Sequence, residues 1–155
     1  MKTILLAAVM VAGTALGAHA ERFTFKAVGT VQNAIQVTGE DGKPIGGVFQ
    51  SGTVETVWAS GKAAHGTYSC ETHTTLPNEI FQYLGVCTAK DDAGSFYELI
   101  GCDSTNKAMT EDDCWAGLVG TGGAYAGKHG RATWHGRGGP DGKTGEAVGE
   151  GAWND

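Results

Sequence analysis

Apolar and polar residues alternate with a period of two along much of the chain beyond residue 21, a pattern typical of β-strands with one buried face. Clusters of Gly, Asp, Asn and Pro interrupt this alternation and indicate turns. Because strands and turns follow each other at short intervals, the pattern predicts a sandwich or barrel of roughly eight or nine strands. The alternating segments are residues 22–27, 30–37, 53–58, 65–73, 80–88, 95–100, 115–119, 131–135 and 146–153.

Several turn signals mark the connections between these segments. Asp41 and Gly42 form a hairpin signal, and residues 91–94 carry two Asp residues and a Gly between two strand-like segments. Residues 76–78 break the alternation with a proline. The polar residues 104–113 predict a long loop that lies between two cysteines.

The first twenty residues have the layout of a secretory signal. Lys2 precedes an apolar run over residues 4–12, and residues 18–20 have the Ala-x-Ala pattern that a signal peptidase accepts. The run is shorter than the stretch of about 20 residues that a transmembrane helix needs, and an uncleaved anchor is the alternative. We therefore expect residues 1–20 to be a signal peptide and residues 21–155 a single periplasmic or secreted domain, free of the membrane after cleavage.

The part of the chain after the signal is rich in glycine and acidic. The chain has 26 glycines among its 155 residues, a fraction well above the usual glycine share of about 7%. Because glycine destabilises helix interiors, this composition argues against a helical fold. The formal net charge is −6, and it becomes more negative when Lys2 leaves with the signal. Because such a surface repels phosphate backbones, nucleic acid is not expected as a partner.

The four cysteines all lie after the signal, and an even number in an exported chain indicates disulfides. Three connectivities are available. We favour Cys70–Cys87 and Cys102–Cys114, because each pair then joins segments that are expected to be hairpin neighbours. The alternative is a zinc site, for which the cysteines lack the closely spaced ligand pairs that zinc sites use.

No motif predicts a bound cofactor. The glycines of residues 120–127 lack the spacing of a dinucleotide-binding loop, and residues 142–144 miss the spacing of a phosphate-binding loop. His65 and His73 share one predicted sheet face, but solvated or barrel-lining histidines explain this better than metal ligation does, because no metal-binding spacing is present. We expect neither a cofactor nor a metal.

Four residues are candidates for catalysis. Glu98 lies in the middle of a predicted strand, and Glu71 and His73 lie in another, close to Cys70. Carboxylates inside a barrel have raised pKa values, which suits general acid–base chemistry, and Tyr83 is expected to supply a hydrogen bond. Alternation alone does not say which face of a strand is inside, so solvent-facing orientations stay open for both acids.

A more specific pattern lies in the C-terminal half. The turn at residues 91–94 is followed by GTGGAYAGKHG at residues 120–130, and with these features residues 66–153 resemble the allene oxide cyclase and dirigent barrel superfamily. The order Gly-Thr-Gly-Gly, His129 and the four cysteines depart from the pattern of that superfamily. These differences leave the subfamily open.

The resemblance implies an all-β, antiparallel eight-stranded barrel of the calycin-like type, often a homotrimer, with an apolar cavity and with Tyr125 packed under a glycine bend. Relatives include cofactor-free cyclases, proteins that steer phenoxy-radical coupling and a phenazine demethylase. We therefore expect an exported, cofactor-independent cyclase, isomerase or lyase that acts on a small apolar or aromatic molecule in the lumen. A non-catalytic carrier of such ligands and a structural secreted module are the alternatives.

Overall fold

The computed structural model describes residues 20–40, 42, 44–75 and 80–154. The regular elements of these residues are all β-strands, as the alternation predicts. In chain order they are β1 (Glu21–Thr38), β2 (Pro44–Trp58), β3 (Ala63–Thr74), β4 (Tyr83–Asp91), β5 (Gly94–Ser104), β6 (Glu111–Gly123), β7 (His129–Gly138) and β8 (Thr144–Asn154).

The eight strands form a closed barrel. Each strand pairs antiparallel with the next one, and β8 closes the sheet by pairing with β1, where Glu21 lies opposite Trp153. The predicted antiparallel eight-stranded barrel is therefore confirmed. Over the described ranges, no helix is long and apolar enough to cross a membrane.

Some predictions fall on residues outside the described ranges. These are residues 1–19 of the predicted signal, Asp41 of the hairpin signal, and the break at residues 76–78. The predicted loop over residues 104–113 is shorter than expected, because β6 already begins at Glu111. The turn predicted at residues 91–94 is confirmed between β4 and β5.

The first two predicted strands are one strand in the structure. The alternation predicts separate strands over residues 22–27 and 30–37, but β1 runs through the residues between them, and Gly29 pairs with Gly52 of β2. The hydroxyl group of Tyr68 occupies the space in which a Cβ on Gly29 would lie. Gly29 therefore makes room for an aromatic ring instead of turning the chain.

Other glycines of the barrel have the same spatial role. A Cβ on Gly151 would overlap the ring of Phe23, and a Cβ on Gly149 would lie 2.8 Å from a ring carbon of Phe25. These aromatic rings extend over neighbouring strands inside the barrel, where only a glycine leaves the space for them. The high glycine content thus lets a narrow barrel hold large aromatic side chains.

Both predicted disulfides are present. Cys70 on β3 is bonded to Cys87 on β4, and Cys102 on β5 to Cys114 on β6, and each cysteine lies directly opposite its partner in the strand register. All four are buried. Two disulfides are consistent with an oxidising, extracellular setting.

Candidate active site in the barrel lumen

One end of the barrel, which we call the floor, is closed by aromatic side chains and carries the β2–β3, β4–β5 and β6–β7 turns. Tyr125, from the β6–β7 turn, stacks on Trp153 with 4.8 Å between ring centroids and on Trp58 with 6.1 Å. Phe96 packs edge-on against both Tyr125 and Trp153, and Phe23 packs against Trp58. We call these five residues the floor cluster. It closes this end to a ligand.

A hydrogen bond fixes Tyr125 in the floor cluster. Its hydroxyl donates to Asp91 Oδ2 at 2.6 Å, while Asp91 Oδ1 accepts the backbone N–H groups of Ala93 at 2.8 Å and Gly94 at 3.0 Å. Burial, followed by the contact with Asp91, raises the pKa of Tyr125, so its hydroxyl stays protonated. The glycine–tyrosine motif therefore has the structural role that was expected for Tyr125.

Replacing Tyr125 by Phe should lower the free energy of unfolding by about 1–2 kcal/mol, because Asp91 loses a buried hydrogen-bond donor. Urea denaturation followed by tryptophan fluorescence measures the change. Tyr97→Phe is the matched control, since Tyr97 is 48% exposed. Equal effects of the two substitutions would contradict the assigned role of the hydroxyl.

The opposite end of the barrel, which we call the mouth, is more open. Inward-facing side chains towards the mouth on β1, β2, β7 and β8 are only half-buried, whereas those near the floor are buried. The half-buried positions lie across the barrel from β5, so that an inward side chain on β5 faces this more open region. They include Ala27, Val31, Gln50, Trp134 and Ala147.

Glu98 points into the lumen from the middle of β5. It pairs with Cys87 on one side and with Leu118 on the other, both buried inward-facing residues. Burial raises the pKa of Glu98 to about 7, yet its side chain is not fully enclosed. Glu98 therefore has the lumenal orientation, which the sequence alone left open.

Tyr68, on β3, is the titratable neighbour of Glu98. Burial raises the pKa of Tyr68, and the charge of Glu98 raises it further. The Tyr68 hydroxyl is therefore a hydrogen-bond donor at neutral pH. Tyr68 was not among the candidates predicted from the sequence, although it shares its strand face with Cys70. Cys70 is bonded to Cys87, and Cys87 lies opposite Glu98 on β5. The proximity of Tyr68 to Glu98 therefore becomes visible only when the strand register is known.

Glu71 and His73 do not reach the lumen, so the expectation that they join Glu98 there is wrong. Both side chains are exposed on the outer face of β3. The physical reason is the inward orientation of Cys70, which forms a disulfide inside the barrel. Since successive side chains of a strand alternate between the two faces, Glu71 and His73 must then point outward.

Tyr83 faces inward, but near the mouth instead of beside Glu98. It lies opposite Cys102, four positions along β5 from Glu98, or about 13 Å. There Ser104 Oγ donates to Asp112 Oδ1 at 2.8 Å. Burial is the main cause of the raised pKa values of Tyr83 and Asp112. Tyr83 therefore lies too far from Glu98 to be its hydrogen-bonding partner.

Two grooves lie on the outside of the barrel and lack the features of the lumen. The larger, of about 420 Å³, is at the floor end and is lined by charged residues that include Arg22, Arg131 and Glu150 and by Phe23 and Trp58 of the floor cluster. The smaller, of about 300 Å³, crosses the outer face of β3 to β6. Within the described part of the chain, no group of three or more His, Cys, Asp or Glu residues is arranged to hold a metal ion.

No family model matches the chain, and no curated protein matches it in sequence. The resemblance to the allene oxide cyclase and dirigent superfamily, and the homotrimer that it implies, therefore stay predictions.

Proposed function

We propose that the protein is an exported, cofactor-independent enzyme in which Glu98 transfers a proton to or from a small apolar or aromatic molecule in the barrel lumen. The observation that carries this proposal is the position of Glu98, an inward-facing residue that keeps some accessible surface and whose carboxyl has a pKa of about 7. A general acid or base works best when its pKa lies near the working pH. Cyclisation, isomerisation and elimination all fit this chemistry.

The surroundings of Glu98 support the same role. The protonated hydroxyl of Tyr68 supplies a hydrogen-bond donor to an oxygen on which negative charge develops during proton removal. Phe25 on β1 and Trp134 on β7 pack edge-on at 6.1 Å over Gly149 of β8 and offer an apolar surface to the body of a substrate. These features also fit the proposed calycin-like, allene oxide cyclase or dirigent type of barrel, and the two disulfides support a periplasmic or secreted location.

The proposal can be tested with 5-nitrobenzisoxazole, a small aromatic molecule that reports on a carboxylate base. The base removes the ring C–H proton, the N–O bond breaks, and a nitrile with a coloured phenolate is formed. We expect the purified protein without its signal to accelerate this elimination. The rate should rise with pH through about 7 and level off above it, as Glu98 ionises.

Glu98→Gln should abolish this pH-dependent acceleration, because the amide cannot accept the proton. Glu71→Gln is the matched control, since it removes an acid from the outer face of the barrel and should leave the rate unchanged. Acceleration that survives in Glu98→Gln, or that is lost equally in Glu71→Gln, would exclude Glu98 as the base. Absence of acceleration in the unmodified protein would favour a non-catalytic barrel.

A non-catalytic binding barrel is the second candidate function. It is favoured by the outward orientation of Glu71 and His73, which leaves Glu98 without a second acid or base on β3. In the described residues, Glu98 also forms no hydrogen bond or ion pair. Binding of a ligand in the lumen without any turnover would select this function.

A further inference from the structure

The ionisable groups that face the lumen have one sign of charge. Glu98 lies at mid-height, Asp112 near the mouth, and Asp91 beside the floor cluster, where it is held by Tyr125. The Lys, Arg and His residues of the eight described strands all have exposed side chains. The lumen is therefore acidic and has no basic side chain of its own on these strands.

This arrangement leaves Glu98 without a counter-charge. Asp91 is satisfied by the Tyr125 hydroxyl and two backbone N–H groups, and Asp112 accepts a hydrogen bond from Ser104. Glu98 has no such donor within the described part of the chain, and its inward neighbours Cys87 and Leu118 cannot provide one. A buried carboxylate is costly unless it is paired with a cation or accepts hydrogen bonds.

The aromatic side chains of the lumen are also suited to a cation. The ring of Tyr68 lies close enough to Glu98 for the charge of Glu98 to raise the pKa of Tyr68. The rings of Phe25 and Trp134 present faces and edges in the more open half of the lumen. Aromatic faces attract ammonium groups, and this attraction is stronger where water is excluded. The aromatic rings also offer contact to the apolar part of a ligand.

We propose that the ligand of the lumen is a protonated amine with a small apolar or aromatic body, whose ammonium group pairs with Glu98. This inference rests on the proposed function for the location of the site, and it adds the chemical class of the ligand. Neutral and anionic molecules with the same body would bind less tightly, because they leave the carboxylate unpaired or repel it.

Binding of such an amine should depend on pH. Tyr68 is the titratable group that interacts with the charge of Glu98. The neighbours of Glu98 on the adjacent strands, Cys87 and Leu118, do not titrate. Asp91 and Asp112 lie towards the two ends of the barrel. Since an ammonium group binds the ionised carboxyl, its affinity should fall about tenfold per pH unit below the pKa of Glu98 and level off above it.

Three probes with one body isolate the charge of the ligand: 2-phenylethylamine is cationic, 2-phenylethanol neutral and phenylacetate anionic. Isothermal titration calorimetry at about pH 8 should give the tightest binding for the amine, at least about tenfold tighter than for the alcohol, with phenylacetate the weakest. Glu98→Gln should remove the preference for the amine. Glu71→Gln, which changes the same charge on the outer face, should keep it.

The elimination of neutral 5-nitrobenzisoxazole separates failure of this inference from failure of the proposed function. If Glu98 catalyses that reaction but the amine binds no better than the alcohol, the inference is overturned and the proposed function stands. Glu98-dependent amine binding without any elimination supports the inference and moves the function to a binding barrel. A preference for the amine that persists in Glu98→Gln would overturn the inference, because the cation would then be held elsewhere.

Discussion

Replacing Glu98 by Gln should raise the free energy of unfolding by about 3 kcal/mol at pH 8 and change it little near pH 4. The reason is the cost of an ionised carboxyl inside the barrel. Burial raises the pKa of Glu98 from 4.5 to about 7 in the folded protein, whereas the unfolded chain keeps the ordinary value. Between about pH 4.5 and pH 7, the folded state therefore binds more protons at Glu98 than the unfolded state does.

The sign of the pH dependence follows from this difference in bound protons. Stability contributed by the neutral carboxyl is complete below about pH 4.5, is lost as the pH rises through about 7, and is absent above it. Gln has no charge to bury, so the variant should lack this decline. Urea unfolding at a series of pH values, for the unmodified protein and for Glu98→Gln, measures both curves.

Glu55→Gln is the control for this experiment, because Glu55 is exposed on the outer face of β2. It should leave the decline between pH 4.5 and 7 in place. If Glu98→Gln shows the same decline as the unmodified protein, Glu98 is not the group responsible. If Glu98 is present for proton transfer and not for stability, Glu98→Gln should gain stability and lose proton transfer.

Replacing Trp153 by Ala should lower the free energy of unfolding by about 3–5 kcal/mol. Trp153 is 2% exposed, stacks on Tyr125 at 4.8 Å and packs against Phe96 at 5.3 Å. Its removal takes apolar surface from the core and leaves a cavity in the floor cluster, which surrounding strands cannot fill. Thermal unfolding and urea unfolding both measure the loss.

Trp115→Ala is the matched control, because Trp115 lies on the outer face of β6 and is 46% exposed. We expect it to cost much less than Trp153→Ala. The stability loss expected for Trp153→Ala is a large part of the total stability of a typical domain, so this variant can fail to fold. Trp153→Phe is a milder variant for that case. Equal effects at positions 115 and 153 would contradict the role of the floor cluster.

Much of the barrel could be predicted from local pattern. Alternation located all eight strands, and the hairpin neighbours suggested by the turns led to the two disulfide pairs that the structure contains. The first two predicted strands are one strand in the structure, and Gly29, which lies between them, shows why: a glycine inside a strand has two possible roles. It can turn the chain or make room for a ring, and the ring of Tyr68 comes from another strand, 39 residues away in the chain.

The candidate site was less predictable, since its residues come from strands whose register the sequence does not specify. Glu98, Glu71 and His73 were all candidates from clear strands, and of the three only Glu98 faces the lumen. Alternation requires only that neighbouring side chains point to opposite faces, and it leaves open which face is inside.

The antiparallel eight-stranded barrel and the structural role of Tyr125 are what the resemblance to the allene oxide cyclase and dirigent superfamily implies. By itself, the sequence determined that this protein is built from short strands joined by turns and that its cysteines pair between neighbouring strands. These properties depend on short-range patterns. Only the tertiary structure decided that Cys70 points inward and Glu71 outward, that Tyr68 is the titratable neighbour of Glu98, and that the charges of the lumen are acidic. Closure of the barrel sets these relations, because it chooses one face of every strand at once and fixes which residues of distant strands meet.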